Sequence, residues 1–240
     1  MKTISKIICV AVLSTVSISC TKETVTASNE VTTKAYPFSG YSALDVSDNF
    51  NVYVTFSDTE EKLEIEANDN LHNHIDLTNV GNRLHVALKG IKKIKGKETL
   101  NVIITTKNIS DFRASGNSKL VLEDSLDAPK VKINLIGNAW FTGTVNTDVL
   151  DISSKGNCII ELAGNAEILN GKLSGNCELS DYGLAVEALK IDLSGNSNAY
   201  LSVLDSIDID AKGNSVLSYK GNATIVHQNL SSGSKIVKKE

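Results

Sequence analysis

The sequence predicts an all-β fold: a right-handed parallel β-helix, or β-solenoid, with coils of about 18–21 residues and an N-terminal β cap. Three observations predict it. The 240 residues include 23 Asn, and nine of the 16 Gly stand directly before an Asn. Branched aliphatic residues are abundant while Pro is scarce, which is typical of neither disordered chains nor helical bundles. The Gly-Asn pairs also recur at a nearly constant interval, which indicates a repeat architecture.

Length and charge limit the class of protein. The chain is long enough to bury a substantial core, and because residues 36–236 contain no linker, they are predicted to form one domain. The net charge is −4, so the sequence lacks the basic character that nucleic-acid binding requires.

The first 20 residues have the pattern of an export signal. Lys2 and Lys6 precede an apolar stretch from Ile7 to Ile18, which is shorter than the roughly 20 residues that span a bilayer. Small residues lead into Cys20, and this resembles a bacterial lipobox. We therefore expect a lipoprotein-type signal peptide over 1–20 with Cys20 as the lipidated N-terminus, and ordinary cleavage nearby is the alternative.

The polar residues 21–35 that follow Cys20 are predicted to be a tether between the lipid anchor and the fold. Removal of residues 1–20 takes away two lysines, so the net charge of the exported part is −6.

Six Gly-Asn corners define a regular repeat over residues 111–225. They are separated by 21, 19, 19, 20 and 18 residues, and their asparagines are Asn117, Asn138, Asn157, Asn176, Asn196 and Asn214. Apolar residues stand seven, five and three places before the Asn, as in Leu189, Ile191 and Leu193, with polar residues between them. This is the period of a strand with one buried face. A small residue follows each Asn, and an apolar residue returns two places later, which predicts a second strand.

The corner chemistry agrees with stacked coils. Gly supplies a positive φ and Asn tolerates the left-handed region, so the pair suits a sharp turn. In-register coils would place the Asn side chains one above another as an amide ladder. The alternative is an antiparallel meander with Gly-Asn hairpins every 8–12 residues. Extra corners at Asn165 and Asn222 have that spacing, but the other four units lack them.

Residues 36–110 follow the same pattern loosely and are predicted to be irregular coils that cap the stack. Asn49 and Asn82, with their flanking residues, fit the template. Residues 99–106 are predicted to form a buried strand, and residues 91–97 a basic loop.

These motifs resemble a known family. The run Leu-x-Ile-x-Leu-Ser-Gly-Asn at 189–196, its counterparts at 172–176 and 111–117, and the opening Phe-Asn-Val-Tyr-Val at 50–54 are similar to the family called "Putative auto-transporter adhesin, head GIN domain". The resemblance covers roughly residues 38–225. It implies a small exported protein or lipoprotein of a Gram-negative cell with a right-handed β-helix-like fold, and it supplies no catalytic or ligand residues.

Cys158 and Cys177 occupy the same position, directly after Asn, in neighbouring coils. Strands at the usual spacing bring their Cα atoms to about 4.8 Å, within disulfide range. Two interpretations stay open: a disulfide, or two stacked thiols that replace Ser or Ala as small buried residues. Neither has a basic neighbour that would favour a nucleophile.

No motif predicts a catalytic, metal or cofactor site. His72 and His74 are two residues apart in a predicted loop, but no third ligand is suggested, so both are expected to be exposed polar residues. The acidic residues on outward positions are interpreted as a solvated charged face. Because aromatic residues are few, no platform for stacking sugars is expected, although Trp140 or its neighbour Phe141 should point outward.

The sequence therefore predicts a non-enzymatic lipoprotein of the cell envelope, anchored in the outer membrane on its periplasmic or surface face. Its partners would be the membrane, through the lipid, and a glycan or protein ligand of unknown identity bound to a rigid side, as in an adhesin or structural protein. The alternative is an envelope glycan-degrading enzyme, a lyase or hydrolase on the same scaffold. Converging carboxylates in a groove and a strongly shifted pKa would distinguish it. A third interpretation is a passive receptor in signalling.

Overall fold

The computed structural model describes residues 23–240, which form a β-solenoid of about seven turns. Cys20 and the predicted signal peptide lie outside the described residues. Strands β1 to β9 are Glu23–Thr26, Val31–Ala35, Ala43–Val46, Asn51–Phe56, Lys62–Asn68, Ile75–Val80, Arg83–Leu88, Ile91–Lys95 and Leu100–Thr106. A 3-10 helix spans Asp69–His74.

The remaining strands belong mostly to the regular repeat. Strands β10 to β15 are Asp111–Gly116, Lys119–Leu122, Leu126–Asp127, Lys130–Gly137, Trp140–Gly156 and Ile159–Gly175. Strands β16 to β21 are Glu178–Ser180, Leu184–Gly195, Asn198–Ala211, Val216–Lys220, Thr224–Leu230 and Lys235–Lys238. Within residues 23–240 no helix has the length and apolar character that crossing a bilayer requires.

Successive coils pair in parallel on three sides. Side A holds the strand before each corner, from β3 through β10 and β13 to the later parts of β14, β15, β17 and β18, and then β20. Side B holds the strand after each corner, from β4 through β11 to β21. Side C is the return segment, from β12 through the middle of β14 and β15 to β17 and β18.

The register of side A confirms the predicted repeat. Gly137, Gly156, Gly175 and Gly195 are partners of one another in consecutive coils. The parallel pairing is confirmed throughout the regular coils, and the antiparallel meander is wrong there. The hydrophobic pattern of side A fixes this register, because a slip of one residue would turn every inward side chain outward.

The core fills the solenoid along its whole length. The apolar residues predicted to face inward on side A of the regular coils are buried: Val131, Ile133, Leu135, Leu150, Ile152, Leu169, Leu173, Leu189, Ile191, Leu193, Ile207, Ile209 and Ala211. Phe112 and Phe141 meet edge to face inside the stack, with ring centroids 5.2 Å apart. Phe141 is fully buried, so Trp140 is the outward member of that pair.

The N-terminal end is closed by antiparallel strands. β5 pairs antiparallel with both β2 and β9, and β6 pairs antiparallel with β7. Below the first regular coil, β7 lies under β3 and β9 lies under β4. The chain therefore builds the coil of residues 43–56 first, then the one beneath it at residues 83–106, and β10 returns to stack on β3.

Three local expectations are wrong in this cap. Part of the predicted tether, residues 21–35, forms β1 and β2, because alternating Thr and Val residues pair with β8 and β5. The predicted basic loop at 91–97 contains strand β8. Gly81 and Asn82 do not form a coil corner: both have positive φ, and they make the two-residue hairpin between β6 and β7.

Candidate functional site

The six repeat asparagines form one continuous hydrogen-bonded ladder on the exposed corner between sides A and B. Each Nδ2 donates to the Oδ1 of the asparagine one coil below, from Asn214 down to Asn117, at 2.8–3.3 Å. Asn117 in turn donates to Asn49 at 2.9 Å, and Asn49 donates to the carboxylate of Glu98. The ladder therefore runs from the cap to the last regular coil.

The corner backbone is equally regular, and it corrects the expected role of the asparagines. Only the Gly of each pair has a positive φ, and the ladder asparagines do not. The N–H of Asn196 donates to the carbonyl of Gly175 at 2.7 Å, and the same bond recurs in the neighbouring coils. A Cβ on Gly195 would lie 2.5 Å from that carbonyl oxygen, so the corner requires glycine both for its φ and for the close approach of the next coil.

Cys158 and Cys177 are free thiols inside the core. Ser118, Ser197 and Ser215 occupy the same slot in other coils, and each hydroxyl donates to the carbonyl three residues earlier at 2.9 Å. Both thiols point at the equivalent carbonyls, at 3.6 Å from Lys155 and 3.3 Å from Ser174. A hydrogen bond with Cys177 and burial raise the pKa of the Cys158 thiol, which keeps it protonated.

Charged residues on the outside of side A pair with one another. Arg83 contacts Asp111 at 2.7 Å, Lys130 contacts Asp151 at 2.7 Å, and Lys190 contacts Asp208 at 3.6 Å. Burial acts to raise the pKa of the Asp151 carboxyl, but hydrogen bonds from Lys130 and Asn170 outweigh it and hold the pKa below its usual value. Side A is thus a self-neutralised surface, as expected for a solvated face.

His72 and His74 have different surroundings and do not share a ligand site. His72 is buried, not exposed as expected, because its ring nitrogens contact the Tyr36 hydroxyl at 3.3 Å and the Thr32 carbonyl at 3.0 Å. His74 lies 3.7 Å from Glu23. Over the described range, residues 23–240, no group of three or more His, Cys, Asp or Glu side chains is arranged to hold a metal ion.

A shallow groove of about 480 Å³ follows the bend between sides C and A. Its acidic residues are Asp127, Asp148, Glu167 and Glu187, a set that the sequence analysis did not single out, and Asp127 pairs with Asn146 rather than with Asp148 on the next coil. No basic residue lines the groove among those described, and because the groove is shallow, its carboxylates are not enclosed around a substrate.

Side B carries a different surface near the cap. Tyr53 is flanked by Ile103 below and Val121 above, and Trp140 is flanked by Lys119 below and Ile159 above. We call Ile103, Tyr53, Val121, Trp140 and Ile159 the apolar patch. Its members are partly exposed, and Ile159 is 40% exposed. The ammonium group of Lys119 lies 4.1 Å from the centre of the Trp140 ring, which fixes the ring against the sheet.

The surroundings of the apolar patch are polar, and charged residues border it: in β5, Glu64 lies beside Ile103 and forms an ion pair with Lys62. Asn51 donates to Asn101 at 3.1 Å at its lower border, and Thr142 lies beside Val121 on the next coil. On the outward positions of β9, β4, β11 and the start of β14, Lys119 is the single charged residue. The next coils restore charge with Glu161 and Glu178, which bound the apolar patch.

Sequence reasoning missed the apolar patch. Because aromatic residues are few, the sequence analysis predicted no aromatic surface. In the structure, however, Tyr53 and Trp140 lie on the same sheet face, two coils apart, because β11 stacks directly on β4. The signal in the sequence was the outward alternation of Tyr53 with Val52 and Val54, and of Trp140 with Phe141. What joined them was the order in which the first coils stack.

Known proteins are similar to this chain in sequence pattern and in fold. The family described as "Putative auto-transporter adhesin, head GIN domain" matches residues 40–223. A putative adhesin from Bacteroides fragilis NCTC 9343 superposes with a TM-score of 0.79 at 22% identity, covering 90% of this chain and 99% of the other. A putative adhesin from Parabacteroides merdae ATCC 43184 gives a TM-score of 0.71 at 21% identity, covering 90% and 99%.

A third solved structure extends the same fold similarity. A protein from Parabacteroides distasonis ATCC 8503, described as a putative lipid binding protein, gives a TM-score of 0.74 at 15% identity, covering 91% of this chain and 100% of the other. No curated protein matches the chain. At these identities the structural similarity establishes the fold, and the residues that perform a function must be argued from the surface itself.

Proposed function

We propose that this chain, which belongs to the family described as "Putative auto-transporter adhesin, head GIN domain", is a non-enzymatic binding protein of the cell envelope that holds its partner against the apolar patch of side B. The observation that carries this proposal is the contrast between the two outer surfaces. Side A pairs several of its charges with one another, whereas the patch presents Trp140 and Tyr53 on a flat sheet whose carboxylates lie at the border, with Lys119 as the charged residue within it. Aromatic residues in such a patch are typical binding hot spots.

The chemistry of the patch favours a neutral glycan chain as the partner. Aromatic rings offer flat apolar surfaces to the apolar faces of sugar rings, and amide and hydroxyl groups exchange hydrogen bonds with sugar hydroxyls. Asn51, Asn101 and Thr142 place such groups beside Tyr53 and Trp140. The stacked coils hold these groups at fixed spacings, so little conformational entropy is lost when a partner binds.

A binding role agrees better with the site chemistry than catalysis does. The acidic groove is shallow, and the carboxyl with a lowered pKa, Asp151, lies outside it and is explained by its contact with Lys130. Catalytic carboxyls usually show raised or strongly separated pKa values in a closed site.

Lipid anchoring at Cys20 is part of the proposal and places the protein in the envelope. A Cys at the end of an apolar segment of about 12 residues supports it. Mass spectrometry of the protein purified from membranes should show an acylated Cys20 at the N-terminus. A mature chain that begins elsewhere, without acyl groups, would contradict the anchor and leave the binding proposal to be tested separately.

The binding proposal is tested with a glycan array and a matrix-protein array probed with the wild-type protein and three variants. Trp140→Ala and Tyr53→Ala should each weaken binding by roughly 30-fold, the effect of losing about 2 kcal/mol at a hot spot. Tyr200→Ala is the matched control, because Tyr200 is a partly exposed outward tyrosine on side B beyond Glu161 and Glu178.

Two outcomes would count against this function. Equal losses in all three variants, with unchanged urea unfolding, would move the binding surface away from the apolar patch. Release of shortened oligosaccharides from a bound glycan would favour the degrading enzyme instead.

A further inference from the structure

A basic strand lies at the N-terminal end of the solenoid, and neither the fold nor the proposed binding face uses it. Five lysines occur within nine residues: Lys89, Lys92, Lys93, Lys95 and Lys97. All five are exposed. Within residues 23–240, none of the five forms an ion pair, whereas Lys34, Lys62, Lys107, Lys130 and Lys190 all do.

The structure holds three of these lysines, Lys92, Lys93 and Lys95, on one small sheet, and Lys89 and Lys97 flank it. β8 pairs in parallel with β1, and this two-stranded sheet is separate from the main one. Val25 and Ile94 are partners in the register and both pack against the core. Because side chains alternate along a strand, Lys93 and Lys95 lie on the opposite face, beside Thr24 and Thr26.

The same sheet lies where the chain arrives from its predicted anchor. β1 begins at Glu23, three residues after Cys20, and an extended chain of that length reaches at most about 10 Å. Two carboxylates close to the lysines in the chain or sheet already have partners: Glu23 lies 3.7 Å from His74, and Glu98 accepts a hydrogen bond from Asn49. An acyl group on Cys20 would therefore enter the bilayer within about 10 Å of the basic strand.

We propose that the outer face of the β1–β8 sheet docks on an anionic lipid surface, with the ammonium groups of β8 against lipid phosphates. This inference rests on the proposed lipid anchor for its biological setting, but the charge argument is independent of acylation. The exported chain has a net charge of −6, so five unpaired lysines at one end are opposite in sign to the rest of the molecule. Such a polarity orients a protein at a negatively charged surface.

Docking through β8 fixes the orientation of the solenoid. The cap would face the lipid, and the regular coils would extend away from it. The apolar patch, which begins at Ile103 and Tyr53 and ends at Ile159, would then stand on the side of the stack, open to a partner above the membrane.

The test uses the fragment 21–240, which contains every strand and core residue described above but cannot be acylated as a lipoprotein once Cys20 is absent. Sedimentation with vesicles of phosphatidylglycerol and phosphatidylcholine is compared with phosphatidylcholine alone. The triple variant Lys92→Glu, Lys93→Glu, Lys95→Glu should reduce partitioning onto the anionic vesicles on the order of 100-fold. In 1 M salt the wild-type fragment should also dissociate.

The matched control reverses three lysines at the other end of the solenoid, with Lys235→Glu, Lys238→Glu and Lys239→Glu. It should bind anionic vesicles nearly as well as the wild-type fragment, and urea unfolding should confirm that both triple variants fold. Equal weakening by the two triple variants would overturn the proposal, because attraction would then depend on total charge. Equal binding to neutral vesicles, or complete displacement by 10 mM inorganic phosphate at constant ionic strength, would overturn it too.

A second measurement applies to the full acylated protein. After reconstitution into anionic vesicles, Lys92, Lys93 and Lys95 should be protected from acetylation at least several-fold more than Lys235, Lys238 and Lys239. Uniform labelling of both groups would reject the orientation while leaving acylation of Cys20 itself intact, so the two proposals fail separately.

Discussion

The cap and the regular stack use the same dipeptide for two different turns. In the stack, Gly195 has a φ of 80°, whereas Asn196 does not have a positive φ. The chain therefore makes a single bend at Gly195 and continues around the same coil. In the cap, Gly81 and Asn82 have φ values of 58° and 62°, and the chain reverses into an antiparallel hairpin. The difference shows that neighbouring backbone decides the turn: the N–H of Asn196 is bound by a carbonyl of the coil below, whereas β6 has no coil beneath it in residues 23–240.

The largest expected difference between the regions concerns the glycines. Gly195→Ala should cost about 4 kcal/mol of unfolding free energy, because the new Cβ adds strain at a positive φ and lies 2.5 Å from the carbonyl oxygen of Gly175. Gly81→Ala should cost about 1 kcal/mol, because its φ is also positive but no atom lies within 4 Å of the new Cβ. Urea unfolding of both variants measures the difference.

If Gly195→Ala does not accumulate as folded protein, Gly137→Ala offers a milder test. Its Cβ would lie 2.9 Å from the carbonyl oxygen of Gly116, so its loss should fall between the other two. A loss at Gly81 equal to or larger than that at Gly137 would contradict the close-approach argument.

Asparagines also stabilise the two regions in different ways. Asn68 in the cap is 2% exposed, and its amide binds the carbonyls of Ser28 and Lys97 and the N–H of Thr99. Asn68→Ala should cost about 3 kcal/mol, since it leaves three backbone groups unpaired and away from water. Urea unfolding checks the value, and a loss below about 1 kcal/mol would mean that water replaces the amide.

The ladder asparagines lie on an exposed corner, and their individual effect should be smaller. Asn176→Val removes two side-chain hydrogen bonds, to Asn157 and from Asn196, but water can reach the groups that remain. We expect a loss of about 1 kcal/mol, because the backbone N–H keeps its bond to Gly156 and the φ needs no left-handed residue. Asn198, outside the ladder, is the control and should lose only a few tenths of a kcal/mol. Equal losses at Asn176 and Asn198 in urea unfolding would show that the ladder adds no stability.

The regular coils were predictable from the sequence because each position repeats its environment. Leu150, Leu169 and Leu189 recur at one spacing before the Asn, and one coil therefore reveals the register of all others. The cap repeats nothing. The placement of residues 83–106 beneath residues 43–56 depends on which hairpins form first and pack, and β5 and β6 carry strand patterns that suit either direction.

The candidate surfaces also differ in how far the sequence alone predicts them. The Asn ladder was visible from spacing alone. The apolar patch was not, because Tyr53 belongs to the cap coil and Trp140 to the stack, and they become neighbours only through the return of β11 onto β4. The basic segment was visible as composition, but its strand character depends on pairing with β1, which polar composition alone assigned to a tether.

The smallest expected effect concerns the slot that follows each ladder Asn. Where this slot holds Ser or Cys, the hydroxyl or thiol lies close to the backbone carbonyl three residues earlier. The Cys177 thiol, for example, is 3.3 Å from the carbonyl of Ser174. Cys177→Ser should therefore change the unfolding free energy by less than about 1 kcal/mol, because the hydroxyl keeps the bond that Ser197 makes in the next coil. Cys177→Val should cost about 2 kcal/mol, since it leaves that carbonyl unpaired in the core and adds a branched side chain. Because both thiols are buried, Ellman's reagent should label neither of them at pH 8 until urea unfolds the chain. Rapid labelling of one thiol in the folded protein, or equal losses from Ser and Val, would mean that the slot selects for something other than a small buried donor.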